Sequence, residues 1–304
     1  MKTISGKPLS KIGIGSYGIG GRGHRDMPLT DKKDDSVYIE TLAHMISSGL
    51  NFTELSMGYG HGNSVSLFKW ALEKSGVARE DLFLTNSLYP RDLPNVKTIN
   101  DDISSFYSVL ETNYADSTLV TQSLLIKFGE ETIYDILTNL LEDGKTRYVS
   151  LSNAKSEYII KFKEHFKDKF FAHEGHLSFE VRLLEDSGVF QTCRKLAVEN
   201  IIWRPLRRNQ TSNHNWKLLN DLALKYDKTP NQIILNWMCY DGFRPMVMSS
   251  NKAHIDENLE SLNFTMVAKD YKLIRDFRAQ KPSGSFNLEE NSIVELVNNF
   301  EKYN

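Results

Sequence analysis

Few side chains in this sequence have the type and spacing for acid-base chemistry, and three of them are close together: Glu54, Tyr59 and His61. A carboxylate, a phenol and an imidazole within eight residues could hold or pass a proton, the imidazole most readily because free histidine titrates near pH 6.5. His61 sits in Gly60-His-Gly62 and reads equally as a plain loop histidine. Other polar residues end short β-rich runs: Ser87, Thr121 with Gln122, Ser152 with Asn153, Ser178, Trp203 with Arg204, and Ser249 with Ser250. With one carboxylate, one large aromatic and many hydroxyls, this set suits hydrogen bonding to a ligand better than proton transfer. It contains no Ser-His-Asp set, no opposed carboxylate pair and no cluster of metal ligands. His173 and His176 have no third ligand nearby, so no metal is expected. Trp203-Arg-Pro-Leu-Arg-Arg-Asn-Gln-Thr211 concentrates three arginines, read either as an anion-binding loop or as a solvated charged loop. Arg22, His24 and Arg25 read as a surface loop after the first strand.

The elements that must position these residues alternate along the chain. Strands are predicted at 11–16, 51–55, 81–87, 117–122, 146–152, 172–179, 200–205 and 245–250. Helices are predicted between them at 34–48, 64–75, 100–113, 130–143, 156–167 and 187–198, with another opening at Thr229-Pro230. Gly49, Gly76 and Gly144 fall where left-handed helix ends belong. Eight βα units predict one α/β domain, a (β/α)8 TIM barrel over 1–304 with a short N-terminal hairpin. A tail over 279–304, amphipathic from 288 to 300, would cover one barrel end. The 304 residues suit this fold, which takes about 250 in one unit. In such barrels chemistry sits at the C-terminal strand ends, where the polar residues above fall.

Composition narrows the partners. With 37 Lys plus Arg against 39 Asp plus Glu, the net charge of −2 offers no field for nucleic acid or an anionic membrane. Neither a signal-peptide core nor an apolar run of roughly 18 residues occurs, so a cytoplasmic protein acting on a small, and in one reading anionic, molecule is expected. Cys193 and Cys239 read as two reduced, buried thiols. Gly13-Ile-Gly15 lacks the acid that a dinucleotide-binding glycine loop requires further on.

The stretch Gly49-Leu-Asn-Phe-Thr-Glu-Leu-Ser-Met-Gly-Tyr-Gly-His-Gly-Asn-Ser64 resembles the aldo-keto reductase signature, with Glu54 on its Asp and Tyr59 on its Tyr. Lys11-Ile-Gly-Ile-Gly-Ser-Tyr17, Gly144-Lys-Thr-Arg-Tyr-Val-Ser-Leu-Ser-Asn153, Lys228-Thr-Pro-Asn-Gln-Ile-Ile-Leu-Asn-Trp237 and His254-Ile-Asp-Glu-Asn-Leu259 match in order, and the likeness runs from about 3 to 278. The resemblance implies carbonyl reduction by hydride from NADPH, with a Tyr donating a proton under the influence of a Lys paired with an Asp, and a His nearby. Here Ser87 stands on the Lys position and Thr121 on the His, so most of the catalytic set is replaced and ordinary carbonyl reduction is in doubt. On the cofactor side the resemblance assigns Ser152 and Asn153 to the nicotinamide carboxamide, Trp203 to ring stacking, and Glu257 and Asn258 to adenine. It gives Ser178 for a Gln on strand six. Arg204, Leu206, Arg207 and Arg208 replace a small-residue loop over the pyrophosphate, with Ser249 at the end of the last strand. Met248 and His254 occupy places where NADP-preferring members carry Lys and Arg, which leaves NADP or NAD open. Three functions follow: an NAD(P)-linked oxidoreductase using Tyr59, a lyase, dehydratase or isomerase on the same barrel, or a non-catalytic nucleotide-binding protein.

Overall fold

The structure, a computed structural model, describes residues 1–284. Eight parallel strands close into a barrel in chain order: β1 (Gly13–Ile14), β2 (Phe52–Leu55), β3 (Phe83–Leu88), β4 (Ala115–Thr121), β5 (Thr146–Ser152), β6 (Phe170–His176), β7 (Glu199–Trp203) and β8 (Arg244–Val247). Helices cover the outside, and the predicted (β/α)8 architecture is present. The predicted hairpin is reduced to one antiparallel bridge, Lys2 to Pro8. The expected amphipathic stretch at 288–300 lies outside the described residues.

Alternation along each strand decides what fills the barrel. Phe52, Phe83, Phe171 and Met246 meet Leu9 in one apolar cluster inside it, with the Phe83 and Phe171 rings 4.7 Å apart. Two residues toward the C-terminal end on β2 and β3, the inward positions are Glu54 and Thr85, and a further two place Ser87 on β3. Ser117 and Ser150 face each other at 2.8 Å across β4 and β5. The floor is thus apolar and the upper barrel polar, and every residue of β2, β3, β4 and β6 is buried.

Several boundaries have legible causes. Thr229 caps the helix Pro230–Tyr240, accepting from Gln232 N, and Pro occupies the first helical position where its missing N–H costs nothing. Gly76 ends the helix Asn63–Ser75 at φ 68°, in the left-handed region where a side chain would be strained. The helices Lys217–Tyr226 and Ala268–Asp276 were not predicted, and β1 is shorter than the expected 11–16.

Candidate active site

At the C-terminal end of the barrel four aromatic rings gather around one carboxyl group. Glu54, 3 % exposed, leaves β2 beside Ser87 of β3. Tyr59 follows on the turn after β2 and Tyr89 directly follows β3. The Tyr59 hydroxyl donates to Tyr89 Oη at 2.7 Å, and Tyr89 donates to Glu54 Oε1 at 3.3 Å. The two phenol rings stack at 5.5 Å. His24, from the loop after β1, stands edge-on to Tyr59 and Tyr89 at 5.3 and 5.7 Å, and Tyr17 packs against both His24 and Tyr59. Asp92 accepts from His24 Nδ1 at 2.7 Å, both side chains being buried. The backbone N–H of Arg25 donates to the other Asp92 oxygen at 3.0 Å.

The turn that carries Tyr59 is tightly built. A Cβ on Gly58 would lie 2.0 Å from Asp92 Oδ2, so only glycine lets the acid reach His24. Gly60 has φ 58° and lies against the carbonyl of Ile19, where a Cβ would meet it at 2.8 Å. His61 also has φ 58°, and the residue is exposed. Its Nε2 donates to the carbonyls of His24 and Met27 at 3.0 and 2.8 Å. It therefore fastens the loop after β1 and is not an acid at the site. The surface-loop expectation for His24 is likewise corrected: the loop folds inward because Asp92, Arg91 and Asp102 hold His24, Asp26 and Arg25 from the other side.

The electrostatics follow from burial. Removal from water raises the Glu54 pKa to about 7, against the favourable hydroxyls of Ser87, Tyr59 and Tyr89 and the charge of His24. Of the groups that oppose burial, the Ser87 hydroxyl counts most, ahead of the two phenols. Glu174, buried on β6, is raised well above the usual carboxylate range by burial and by the Glu54 charge. Tyr59 and Tyr89 are both pushed well above 10, first by burial and then by Glu54, so both are neutral phenols near pH 7.

A stability prediction follows. Folded Glu54 binds its proton more tightly than a free Glu at 4.5, so its contribution is fully present below that value and is lost as pH rises through about 7. Glu54→Gln should therefore stabilise the protein at pH 8, by up to about 3 kcal/mol, and make little difference at pH 4. Urea unfolding at both pH values reads this, and an equal effect at the two would contradict the shift.

The other predicted residues fall into two groups. Ser152 and Asn153 end β5, and Asn153 Oδ1 accepts from Trp203 Nε1 at 3.0 Å. One face of the Trp203 indole is covered by His176, stacked at 4.4 Å. Ser178 is not on the sixth strand. It lies two residues past the end of β6, its hydroxyl accepting from Val181 N, and the residue paired with Ser152 across β5 and β6 is Glu174. Thr121 caps the helix Gln122–Phe128 by accepting from Leu124 N, and its hydroxyl also pairs with Ser123 Oγ at 2.9 Å. Arg207 is fully buried and donates to Glu180 Oε2 at 3.1 Å and to the carbonyl of Ser283 at 2.8 Å. It fastens the loop after β7 and does not offer its charge to an anion. Leu206 packs against the apolar core, while Arg204 and Arg208 are less buried.

A cleft of about 650 Å³ opens at the end of β8, between the helices Asp35–Ser47 and Lys252–Glu260, lined among others by Lys33, Thr41, Ser249, Ser250 and His254. Lys33 Nζ donates to Ser250 Oγ at 2.6 Å there. Glu257 accepts from Thr229 at 2.6 Å, and Asn258 is buried beside it. His173, whose Nε2 accepts from Ala154 N, is held down at about 3 by burial. Among the described residues no three metal-ligating side chains converge, and no helix is long and apolar enough to cross a membrane.

Tyr89, Asp92 and Glu174 are the site residues that sequence patterning does not single out, and His24 was noted only as a loop residue. Tyr89-Pro90 at a strand end was a signal for the first, since Pro stops the strand and leaves the tyrosine at the barrel mouth.

The closed eight-stranded parallel barrel is of the aldo-keto reductase type. The profile described as "Aldo/keto reductase family" matches residues 11–279, and the chain belongs to that family. It is 24 % identical to methylglyoxal reductase DkgB of Escherichia coli O157:H7 over 81 % of this chain and 89 % of that protein. Among solved structures, a thermostable aldo-keto reductase, Tm1743, in complex with epalrestat superposes with TM-score 0.77 at 22 % identity, over 90 % of this chain and 97 % of that one. An aldo-keto reductase from Klebsiella pneumoniae in complex with NADPH gives TM-score 0.72 at 16 % identity, over 94 % and 99 %.

Proposed function

We propose that the protein is an NAD(P)-linked oxidoreductase that reduces an activated carbonyl compound, with Tyr59 as the proton donor. The observation that carries this reading is the buried Tyr59 hydroxyl, neutral near pH 7 and fixed at the barrel mouth that Ser152, Asn153 and Trp203 share. A bound reduced nicotinamide would supply the hydride. Ser152 and Asn153 would hold its carboxamide and Trp203 would pack on its ring, while the adenosine end fits the cleft at the end of β8. Lys33 brings an ammonium group to that cleft, which supports a phosphate-bearing cofactor although Met248 and His254 stand where the resemblance expects Lys and Arg.

Without the lysine, Tyr59 is a weak acid, and the substrate must accept hydride readily. A 1,2-dicarbonyl does so because its second carbonyl withdraws electrons, and the name of the Escherichia coli relative supports starting with methylglyoxal. The buried thiol of Cys193 and the half-buried thiol of Cys239 fit a reducing, cytoplasmic setting. A second reading, a lyase, dehydratase or isomerase, is favoured by Glu54 titrating near neutrality.

Calorimetric titration with NADPH, NADP, NADH and NAD decides between them. Trp203→Ala should weaken cofactor binding by about tenfold or more, as expected for loss of a stacking platform. Absence of binding at millimolar cofactor would remove the oxidoreductase reading and leave the second.

A further inference from the structure

We propose that Glu54, Tyr89 and Tyr59 form a proton relay in which a protonated carboxyl group backs the donor tyrosine in place of the absent lysine. The continuous chain from Tyr59 Oη to Tyr89 Oη at 2.7 Å and on to Glu54 Oε1 at 3.3 Å carries it. The inference rests on the reductase reading for its final acceptor but not for its proton source.

The direction of the hydrogen bonds depends on the state of Glu54. When Glu54 is ionised it accepts only, so Tyr89 points at it and Tyr59 points at Tyr89, as drawn above. In that state the Tyr59 proton faces away from a substrate. A protonated Glu54 donates instead, both hydroxyls rotate, and the Tyr59 O–H is released toward the barrel mouth. Burial favours the protonated form of Glu54, while the second buried carboxyl, Glu174 on β6, is itself held protonated by burial and by the Glu54 charge. Opposing groups are His24, which faces Tyr59 and Tyr89 from the loop after β1, and the hydroxyl of Ser87 on β3. Asp92, after β3, accepts from His24 and from Arg25 N, and the Tyr17 ring packs against His24 and Tyr59.

In the step itself the Tyr59 O–H bond breaks as the carbonyl oxygen of the substrate gains the proton. Tyr59 takes the Tyr89 proton and Tyr89 takes the Glu54 proton. A bound reduced nicotinamide would supply the hydride to the carbonyl carbon and be oxidised in turn, so that the carbonyl becomes an alcohol. The negative charge ends on Glu54, which solvent reprotonates, and never on a buried tyrosinate. That distribution explains how a site without the lysine can use a tyrosine pushed well above 10.

Infrared difference spectroscopy on the cofactor-free protein tests the proton source directly. At pH 6 a protonated-carboxyl carbonyl stretch is expected that Glu54→Gln removes, Glu174→Gln leaves in place, and Tyr89→Phe shifts in frequency. It should titrate away by pH 8. If Glu54→Gln removes no such band at pH 6, Glu54 is ionised and the relay is overturned. In the cofactor-loaded enzyme, Tyr89→Phe should lower kcat by about tenfold to 100-fold with the cofactor dissociation constant unchanged, and should straighten a curved proton inventory in mixed light and heavy water. A straight inventory already present in the unsubstituted enzyme would also overturn it. An infrared band of the expected kind in a protein that binds no nicotinamide would sink the reductase reading while supporting the relay.

Discussion

Tyr59→Phe should lower kcat/KM for a 1,2-dicarbonyl substrate by about 10² to 10⁴, the usual worth of a positioned general acid, while leaving cofactor affinity unchanged. The Tyr59 ring remains to pack against Tyr17 and His24, so the substitution removes one hydroxyl and little else. The fold should hold, because Phe has no polar atom to leave stranded where Tyr59 is buried. Steady-state kinetics alongside calorimetry separate the two quantities. A variant retaining a third or more of the activity would mean that the proton reaches the substrate from another group.

Gly58→Ala is expected to cost about 3 kcal/mol of stability and to reduce activity at the same time. Its new methyl group would occupy the space of Asp92 Oδ2, and the acid must then retreat from His24 and from Arg25 N. Retreat leaves the imidazole buried without its partner and loosens the turn that carries Tyr59. Gly58 itself has φ −72°, an ordinary value for alanine, so backbone strain is not the cause. The substitution Gly58→Ala combined with Asp92→Ala should recover part of the loss, because the smaller side chain vacates the contested space. Chemical denaturation of the single and double variants measures this, and strict additivity would refute the steric account.

The barrel was legible because its elements obey simple periods. Thr146–Ser152 matches the predicted strand at both ends, and the helix predicted at 130–143 occupies 130–142. Strand six was harder to read. Three polar residues, His173, Glu174 and His176, lie within a fully buried strand, while the following Leu-Ser-Phe mimics strand alternation, so the expected segment slid toward the C-terminus. The slip put Ser178 where Glu174 stands and hid one of the two acids of the site. Glu54 and Tyr59 were visible in a local pattern, but their partners were not. His24 and Asp92 are 68 residues apart in sequence and meet only because two loops fold over the same barrel mouth. Tyr89 becomes meaningful only once β2 and β3 are paired, which brings its hydroxyl to Tyr59. The arginine loop left two readings open, an anion site or a solvated charged loop; Arg207 fits neither, because it is fully buried and paired with Glu180 from the loop after β6.

That fastening ties together parts of the chain that are far apart in sequence. Glu180, just beyond β6, receives Arg207 from the loop after β7 and both the backbone and the hydroxyl of Ser283 from beyond the last described helix. Arg204, Arg207, Arg208 and Asn209 all hold positive φ, a conformation that costs a non-glycine residue about 1–2 kcal/mol apiece. The loop is therefore held in a costly backbone conformation by the Arg207–Glu180 ion pair together with the Ser283 and Asn231 hydrogen bonds. The positive-φ run after β7 is thus coupled through Glu180 to the chain at Ser283, so a change at either end is felt at the other.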